Sequence, residues 1–194
     1  EEKNIARCLA ALERFDEIIV IDSNSTDNTG EIVRSFGVRL VNFSWNGEYP
    51  KKRQWALDTL PLKHDYVFFI DADEEATPEL CDEIAALDWT APGYFVRGLY
   101  EVDGKLLKHG LHNKKLCLFD RTKIEFPVVD DLDLPGMGEI EGHYQPVLKA
   151  GISGKMVTLR NFVIHYALED RQRYIKRLQD YVAWQQGMLE RNAH

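Results

Sequence analysis

Cysteine is scarce. Cys8, Cys81 and Cys117 are far apart with no CxxC pair, which indicates neither a disulfide framework nor a cysteine zinc site and suits a reducing compartment. Long apolar runs are missing as well: none approaches the ~20 residues that span a bilayer. No signal peptide opens the chain, so any membrane contact is expected to be peripheral or through a segment outside the sequence. Positive charge is in short supply, with 24 Lys and Arg against 32 Asp and Glu and a formal charge of -8, which argues against nucleic acid as a partner because phosphate binding wants a basic footprint. No internal repeat, low-complexity tract or linker interrupts the 194 residues, 44% of them hydrophobic. One domain over 1–194 is expected, large enough to hold a core without a covalent or metal staple.

The first ~90 residues alternate helix and strand patterns. Ile5, Leu9 and Leu12 recur at helical spacing within 1–15, and Glu17 to Ile21 is an apolar run suited to a strand buried on both faces. A polar turn over 22–30, a short helix over 31–36, a strand over 38–41, a helix over 51–60, a strand over 66–70 and a helix over 78–87 follow. This order predicts an α/β fold with a mixed, mainly parallel sheet flanked by helices. Beyond Pro92 strands dominate: 94–102, an Asp103-Gly104 hairpin signal, 105–108 and 115–119. Residues 127–142 are rich in Pro, Gly and acid, an irregular stretch of the kind that often carries function. The chain closes on an amphipathic helix over 170–189, whose Tyr174, Ile175, Leu178, Tyr181, Val182 and Met188 are expected to pack on the sheet.

Three polar segments could carry chemistry. Asp71-Ala72-Asp73 follows the apolar strand 66–70, at the carboxyl end where open α/β sheets bind ligands. On an extended segment Asp71 and Asp73 would face one side and could share a hard cation that also holds phosphate oxygens. Two other readings of this segment fail. An EF-hand loop needs Gly where Ala76 stands, and a phosphatase-type DxDx(T/V) has Glu75 at its last position. Asp22-Ser-Asn-Ser-Thr-Asp-Asn-Thr29 follows another strand, with short polar side chains that can bind a base or ribose and also cap the next helix. Trp45 and Tyr49, in a polar loop with Asn46-Gly47, offer aromatic faces to a ring.

In order, VIDSNSTDNT (20–29), KKRQWAL (51–57) and FFIDADEE (68–75) resemble family 2 glycosyltransferases of GT-A fold, and within them bacterial enzymes of lipopolysaccharide core or surface polysaccharide synthesis. The resemblance implies a Rossmann-like nucleotide-binding sheet, with residues 1–90 as the nucleotide half and 91–194 as the acceptor half. It implies transfer of a sugar from a nucleotide-diphosphate donor to a glycan or lipid-linked glycan hydroxyl, with inversion and with Mn2+ or Mg2+. A cytoplasmic location, extending to the inner face of the bacterial membrane, goes with that role. The family begins with a buried strand before its first helix. This chain opens on Glu1-Glu2-Lys3-Asn4 without that strand, so a neighbouring strand is expected to show an unpaired edge.

Carried over by the resemblance, Asp22 and Ser23 would address base or ribose, Arg53, Asp71 and Ala72 the nucleotide, and Asp73 the metal, with Asp71 sharing it. His165 stands where related enzymes have a His-Tyr pair, and neutral imidazole is a competent Mn2+ ligand. Inversion needs a carboxylate base for the acceptor proton. Gly138 to Pro146 resembles the region that supplies it, which makes Glu141 first choice and Glu139 second, with Asp131 and Asp130 as further candidates. His109, His112 and His143 are unassigned. The rival enzyme class is a nucleotidyltransferase, which would favour a Gly-rich basic phosphate loop near its start. The rival outside enzymes is a nucleotide-binding module without turnover.

Overall fold

A computed structural model describes residues 1–109, 113–141, 144–166 and 171–192. His112 and His143 lie outside the described residues. Helix α1 (Ile5–Ala11) precedes strand β1 (Ile19–Asp22), and α2 (Thr29–Ser35) crosses over to β2 (Arg39–Asn42), which pairs parallel to β1. Gly37 ends α2 at φ 69°, and its N–H returns to Arg34 C=O, a left-handed stop that favours glycine. Ile5 and Leu9 of α1 bury against Val33 of α2 and the apolar face of β1. Each strand of this pair has one partner among the described residues, so the expected unpaired edge is present.

Helix α3 (Lys52–Thr59) leads to β3 (Tyr66–Phe68), followed by a short β4 (Glu74–Ala76) and α4 (Pro78–Ala85). Pro78 opens α4, and Thr77 Oγ1 accepts the Leu80 N–H as its cap. Strand β5 (Gly93–Val102) turns through Asp103 and Gly104, both at positive φ, into β6 (Lys105–Leu106), the hairpin that the Asp-Gly pair predicts. Then come β7 (Asn113–Asp120), β8 (Ile124–Glu125), β9 (Val147–Leu148), β10 (Val157–His165) and α5 (Arg171–Asn192).

The main sheet runs β3-β7-β5-β10-β4. It is mixed, as expected, but parallel pairing is confined to β1–β2 and to β5–β10, and every other pair is antiparallel. For β5 and β6 the reason is connection length: a two-residue hairpin joins them, and a parallel return needs a crossover of a dozen or more residues. Strand β4 went unforeseen because Glu74-Glu75-Ala76 has little strand propensity. Pairing with Val163 to His165 imposes the conformation and buries Glu74 at 3% exposure.

Leu80 and Ile84 of α4 pack with Tyr94, Val96, Leu118 and Val163 into the larger core on one side of the sheet. Leu57, Leu116, Phe119, Ile124 and Phe126 form a second core. All three cysteines are buried and free. Burial, followed by nearby carboxylates, pushes the Cys8 thiol up to about 12, which suits a packing role.

The terminal helix corrects one expectation. Ile175, Leu178, Val182 and Leu189 are 55%, 45%, 63% and 65% exposed. Tyr174 does meet the sheet, edge-on to Tyr100 of β5 at 6.2 Å, and Tyr181 and Met188 are half-buried, but the other inward contacts are polar: Trp184 Nε1 donates to Asp131 Oδ2 at 2.9 Å, and the Arg191 guanidinium grips Asp133 at 2.7 Å. Periodicity located the helix, but the acidic 127–142 segment, by offering carboxylates, selected which side faces inward.

The β5–β10 register shifts between Thr158 and Phe162, and the Arg160 and Asn161 N–H groups at that irregularity donate to the Glu83 carboxylate, each at 2.8 Å. Burial works against the charged form of Glu83, yet these main-chain donors outweigh it and hold the carboxyl below its ordinary 4.5. A folded-state value below the unfolded one stabilises the fold above pH 4.5 and loses that effect as pH falls through the folded value. Glu83→Gln should therefore cost about 1–3 kcal/mol at pH 7. Urea melts at successive pH values should show the gap between wild type and variant closing in acid.

Candidate active site

Glu141 organises the start of α3. Helix α3 has no side-chain cap of its own. Glu141 Oε2 accepts the Arg53 N–H at 2.9 Å and Oε1 accepts the Gln54 N–H at 3.0 Å, so a carboxylate from a distant loop satisfies two free donors at the positive end of the helix. It is 1% exposed. The cap fixes Arg53, whose Nη2 reaches Asp71 Oδ1 at 2.6 Å. The other oxygen of Asp71 takes Lys115 Nζ at 2.6 Å, and Lys115 also holds Glu74 Oε1 at 2.7 Å. Burial opposes ionisation of Asp71, but Lys115 and then Arg53 overcome it and hold the carboxyl far below its usual range. For Lys115, burial is likewise outweighed by Asp71 and Glu74, and its ammonium is held more firmly than that of an ordinary lysine.

The expectation that Asp71 and Asp73 lie side by side on an extended segment fails. The chain turns after Asp71: the Glu74 N–H closes on Asp71 C=O at 2.9 Å, and the Asp71 N–H donates to Glu74 Oε2 at 3.0 Å. The two carboxylates consequently serve different partners. Asp73 Oδ2 sits 3.3 Å from His165 Nε2 and 3.6 Å from the Arg177 guanidinium of α5. Burial is the largest influence on Asp73, but His165 offsets it and its carboxyl is lowered. His165 is 4% exposed and stacks on Tyr100 at 5.0 Å, and its buried Nδ1 has no hydrogen-bond partner among the described residues.

Asp71, Arg53, Lys115, Glu141, His165 and Arg177 line a cavity of about 300 Å³. The sequence singled out four of these. Lys115 and Arg177 were missed because a lysine in a strand and an arginine in an amphipathic helix carry no motif.

The remaining predicted residues do not line this cavity. Asp22 closes a tight turn, accepting the Ser25 N–H at 2.8 Å and the Ser25 hydroxyl at 2.5 Å. Ser23 Oγ donates to Glu139, which also pairs with Lys52 Nζ at 2.7 Å, so Glu139 ties the Asp22 loop to α3. Ala72 packs against the α1–α2 cluster. Asp131 is fully buried, facing Lys51 Nζ at 3.3 Å and accepting from Tyr49 Oη at 2.8 Å and from Trp184. Asp130 is at the surface, 3.3 Å from Arg191. Tyr49 thus belongs to a buried polar cluster, and the Trp45 indole donates to Glu48 C=O at 2.6 Å.

Among the described residues no group of three or more His, Cys, Asp and Glu side chains is arranged to hold a metal. The Asp73–His165 pair nevertheless fits a cation. Two neighbouring ligands with bonds of about 2.2 Å stand roughly 3.1 Å apart, close to the 3.3 Å observed. Asp71, with both oxygens held by cationic side chains, fits less well.

The Glycosyl transferase family 2 profile matches residues 1–141, and the chain belongs to this family. An uncharacterized glycosyltransferase of Rickettsia typhi is 39% identical over 85 residues, 43% of this chain and 28% of that protein. The lipopolysaccharide core biosynthesis glycosyltransferase LpsC of Rhizobium meliloti is 36% identical over 94 residues, 44% of this chain and 34% of its own. The SPbeta prophage-derived glycosyltransferase SunS of Bacillus subtilis is 26% identical over 132 residues, 57% of this chain and 31% of its own. The matches span about a third of the length of these relatives. No described helix is long and apolar enough to cross a membrane.

Asp131 tests the frame around the cavity. Removing it leaves the Lys51 ammonium buried without its carboxylate, so Asp131→Ala should cost about 3–5 kcal/mol in chemical denaturation. A loss below about 1 kcal/mol would mean that the cluster does not anchor α5.

Proposed function

We propose that this chain moves a sugar from a nucleotide-diphosphate donor to the hydroxyl of a glycan or lipid-linked glycan, with inversion, in bacterial envelope glycan synthesis. Residues 1–194 are read as one domain, with the donor half over 1–90 and the acceptor half over 91–194. The observation that carries the reading is the meeting of Arg53, Asp71, Lys115, His165 and Glu141 around one cavity, with Asp73 held against His165 beside it.

The donor's nucleotide falls to the loop of Asp22 and Ser23 and to Arg53, Asp71 and Ala72. Arg53 and Lys115 bring positive charge to the cavity, where it can stabilise a departing diphosphate. Asp73 and His165 would hold a divalent cation, whose chemistry is to offset diphosphate charge. A carboxylate with an imidazole suits Mn2+ better than Mg2+. Glu141 is the base. Its two oxygens each accept one main-chain N–H, which fixes the carboxylate in place, and each retains a lone pair for the acceptor's proton. Glu139 ranks second, since it is bound to Ser23 and Lys52 and does not line the cavity. Asp131 and Asp130 drop out of the role, the first by burial with Lys51 and the second by its surface position.

Calorimetric titration with UDP, GDP, CDP and ADP, with and without Mn2+, followed by a sugar-transfer assay, tests the reading. Release of pyrophosphate from a nucleoside triphosphate would instead favour a nucleotidyltransferase. Asp73→Ala and His165→Ala should abolish the Mn2+-dependent part of diphosphate binding and leave any metal-independent part. Glu141→Gln sets an amide NH2 against one of the two main-chain N–H groups and should cost about 1–3 kcal/mol, and in the folded variant transfer should fall about 10²–10⁴-fold, well beyond any loss of donor affinity. Near-wild-type turnover in that variant would remove Glu141 as the base.

A further inference from the structure

On the donor reading given above, we propose that Arg177 exchanges partners as the donor binds: its guanidinium pairs with Asp73 until a divalent cation occupies the Asp73–His165 pair, and then grips the donor's diphosphate. Three Arg and Lys side chains line the cavity, and two of them are committed. Arg53 Nη2 donates to Asp71 at 2.6 Å and its Nη1 to Glu141 C=O at 3.3 Å, while Lys115 is shared between Asp71 and Glu74 at 2.6 and 2.7 Å. Their side chains are 18% and 20% exposed. Arg177 is held far more loosely. Its side chain is 39% exposed, and among the described residues its one ion pair is with Asp73 at 3.6 Å, beyond hydrogen-bond length.

The exchange follows from the atom that is shared. His165 Nε2 and Arg177 Nη2 both approach Asp73 Oδ2, at 3.3 and 3.6 Å. Once that oxygen serves a cation, its charge no longer attracts the guanidinium, and the cation itself repels it. The helix need not move. Trp184 and Arg191 pin α5 further along, and Tyr174, one turn before Arg177, meets edge-on the Tyr100 ring on which His165 stacks. The guanidinium therefore swings on its own side chain from a backbone already fixed at the cavity. The donor's diphosphate is its natural second partner, because a guanidinium presents paired N–H donors that phosphate oxygens accept as a fork, and it stays charged at any working pH. Filling the cation site thus frees a positive group for the diphosphate, so occupancy of each site raises affinity at the other.

Two binding measurements should respond to one substitution with opposite signs. The first follows Mn2+ alone by the paramagnetic resonance of the free ion, and the second titrates UDP, GDP, CDP and ADP by calorimetry at saturating Mn2+. Arg177→Ala removes a competitor for Asp73, so Mn2+ alone should bind about two- to fivefold more tightly. The diphosphate that binds wild type in Mn2+ should bind at least about tenfold more weakly, and the loss should be smaller without Mn2+. Arg177→Lys keeps the charge and gives up the fork, so its diphosphate affinity should fall between wild type and alanine. Alanine suits a helix and the side chain is half-exposed, so the melting temperature should hold. A merely structural pin would loosen the Asp73–His165 pair, and Mn2+ affinity in Arg177→Ala would fall or stay level. That result, or a diphosphate affinity in Mn2+ indifferent to Arg177, overturns the exchange and leaves the donor reading in place. So does a wild type that binds a diphosphate but no Mn2+, whereas a wild type that binds neither overturns both.

Discussion

The buried carboxylate of Glu141 at the start of α3 is the contact on which the cavity depends. Two main-chain N–H groups that the helix cannot satisfy internally are satisfied by a residue almost ninety positions later, so loop and helix hold each other in place. From that junction a chain of alternating charge runs Arg53, Asp71, Lys115, Glu74, and it crosses from α3 to the turn after β3 and on to β7. Each member is desolvated, which weakens an isolated charge and strengthens a paired one. Removing Asp71 would strip Arg53 of its ion-pair partner, and removing Lys115 would do the same to the buried Glu74. A cavity built this way is already polarised before any ligand enters, which is the condition for electrostatic stabilisation without reorganisation.

A second network does for α5 what the first does for α3. Lys51, Asp131, Tyr49, Tyr144 and Trp184 form a buried polar cluster beneath the acidic loop. Burial lowers the Lys51 pKa, and Asp131 counters that effect. Because this cluster and the Arg191–Asp133 pair fix α5, Arg177 comes within reach of Asp73 and Leu178 of the cavity. Adjacent residues of one sequence thus take opposite parts: Lys51 anchors the frame, Lys52 holds Glu139, and Arg53 lines the cavity.

Much of this was legible from local sequence. The βαβ start, the Asp-Gly hairpin, the helix opening at Pro78 and the position of Asp71 after an apolar strand are set by neighbours within a few residues. Glu141 and His165 were found by resemblance, and the structure brings both to the cavity. What the sequence hid was decided by partners far along the chain. The strand conformation of Glu74 to Ala76 exists only against β10, and the divergence of Asp71 from Asp73 comes from a turn that an alternation rule cannot anticipate. Asp131 read as a candidate base because nothing local reveals that Lys51 is buried eighty residues away.

The same distinction explains the reversed helix. An amphipathic pattern says that two sides differ and is silent on which one turns inward, since that depends on what the body offers. Here the body offers Asp73, Asp131 and Asp133, and a helix carrying Arg177, Trp184 and Arg191 on one side gains charge-assisted and indole hydrogen bonds by meeting them. Its aliphatic stripe is left in water, at a cost that a monomer could have avoided by burying it against the sheet. A fold that accepts this cost gains an arginine at the cavity and an apolar surface beside its mouth. Packing on the sheet would give up both.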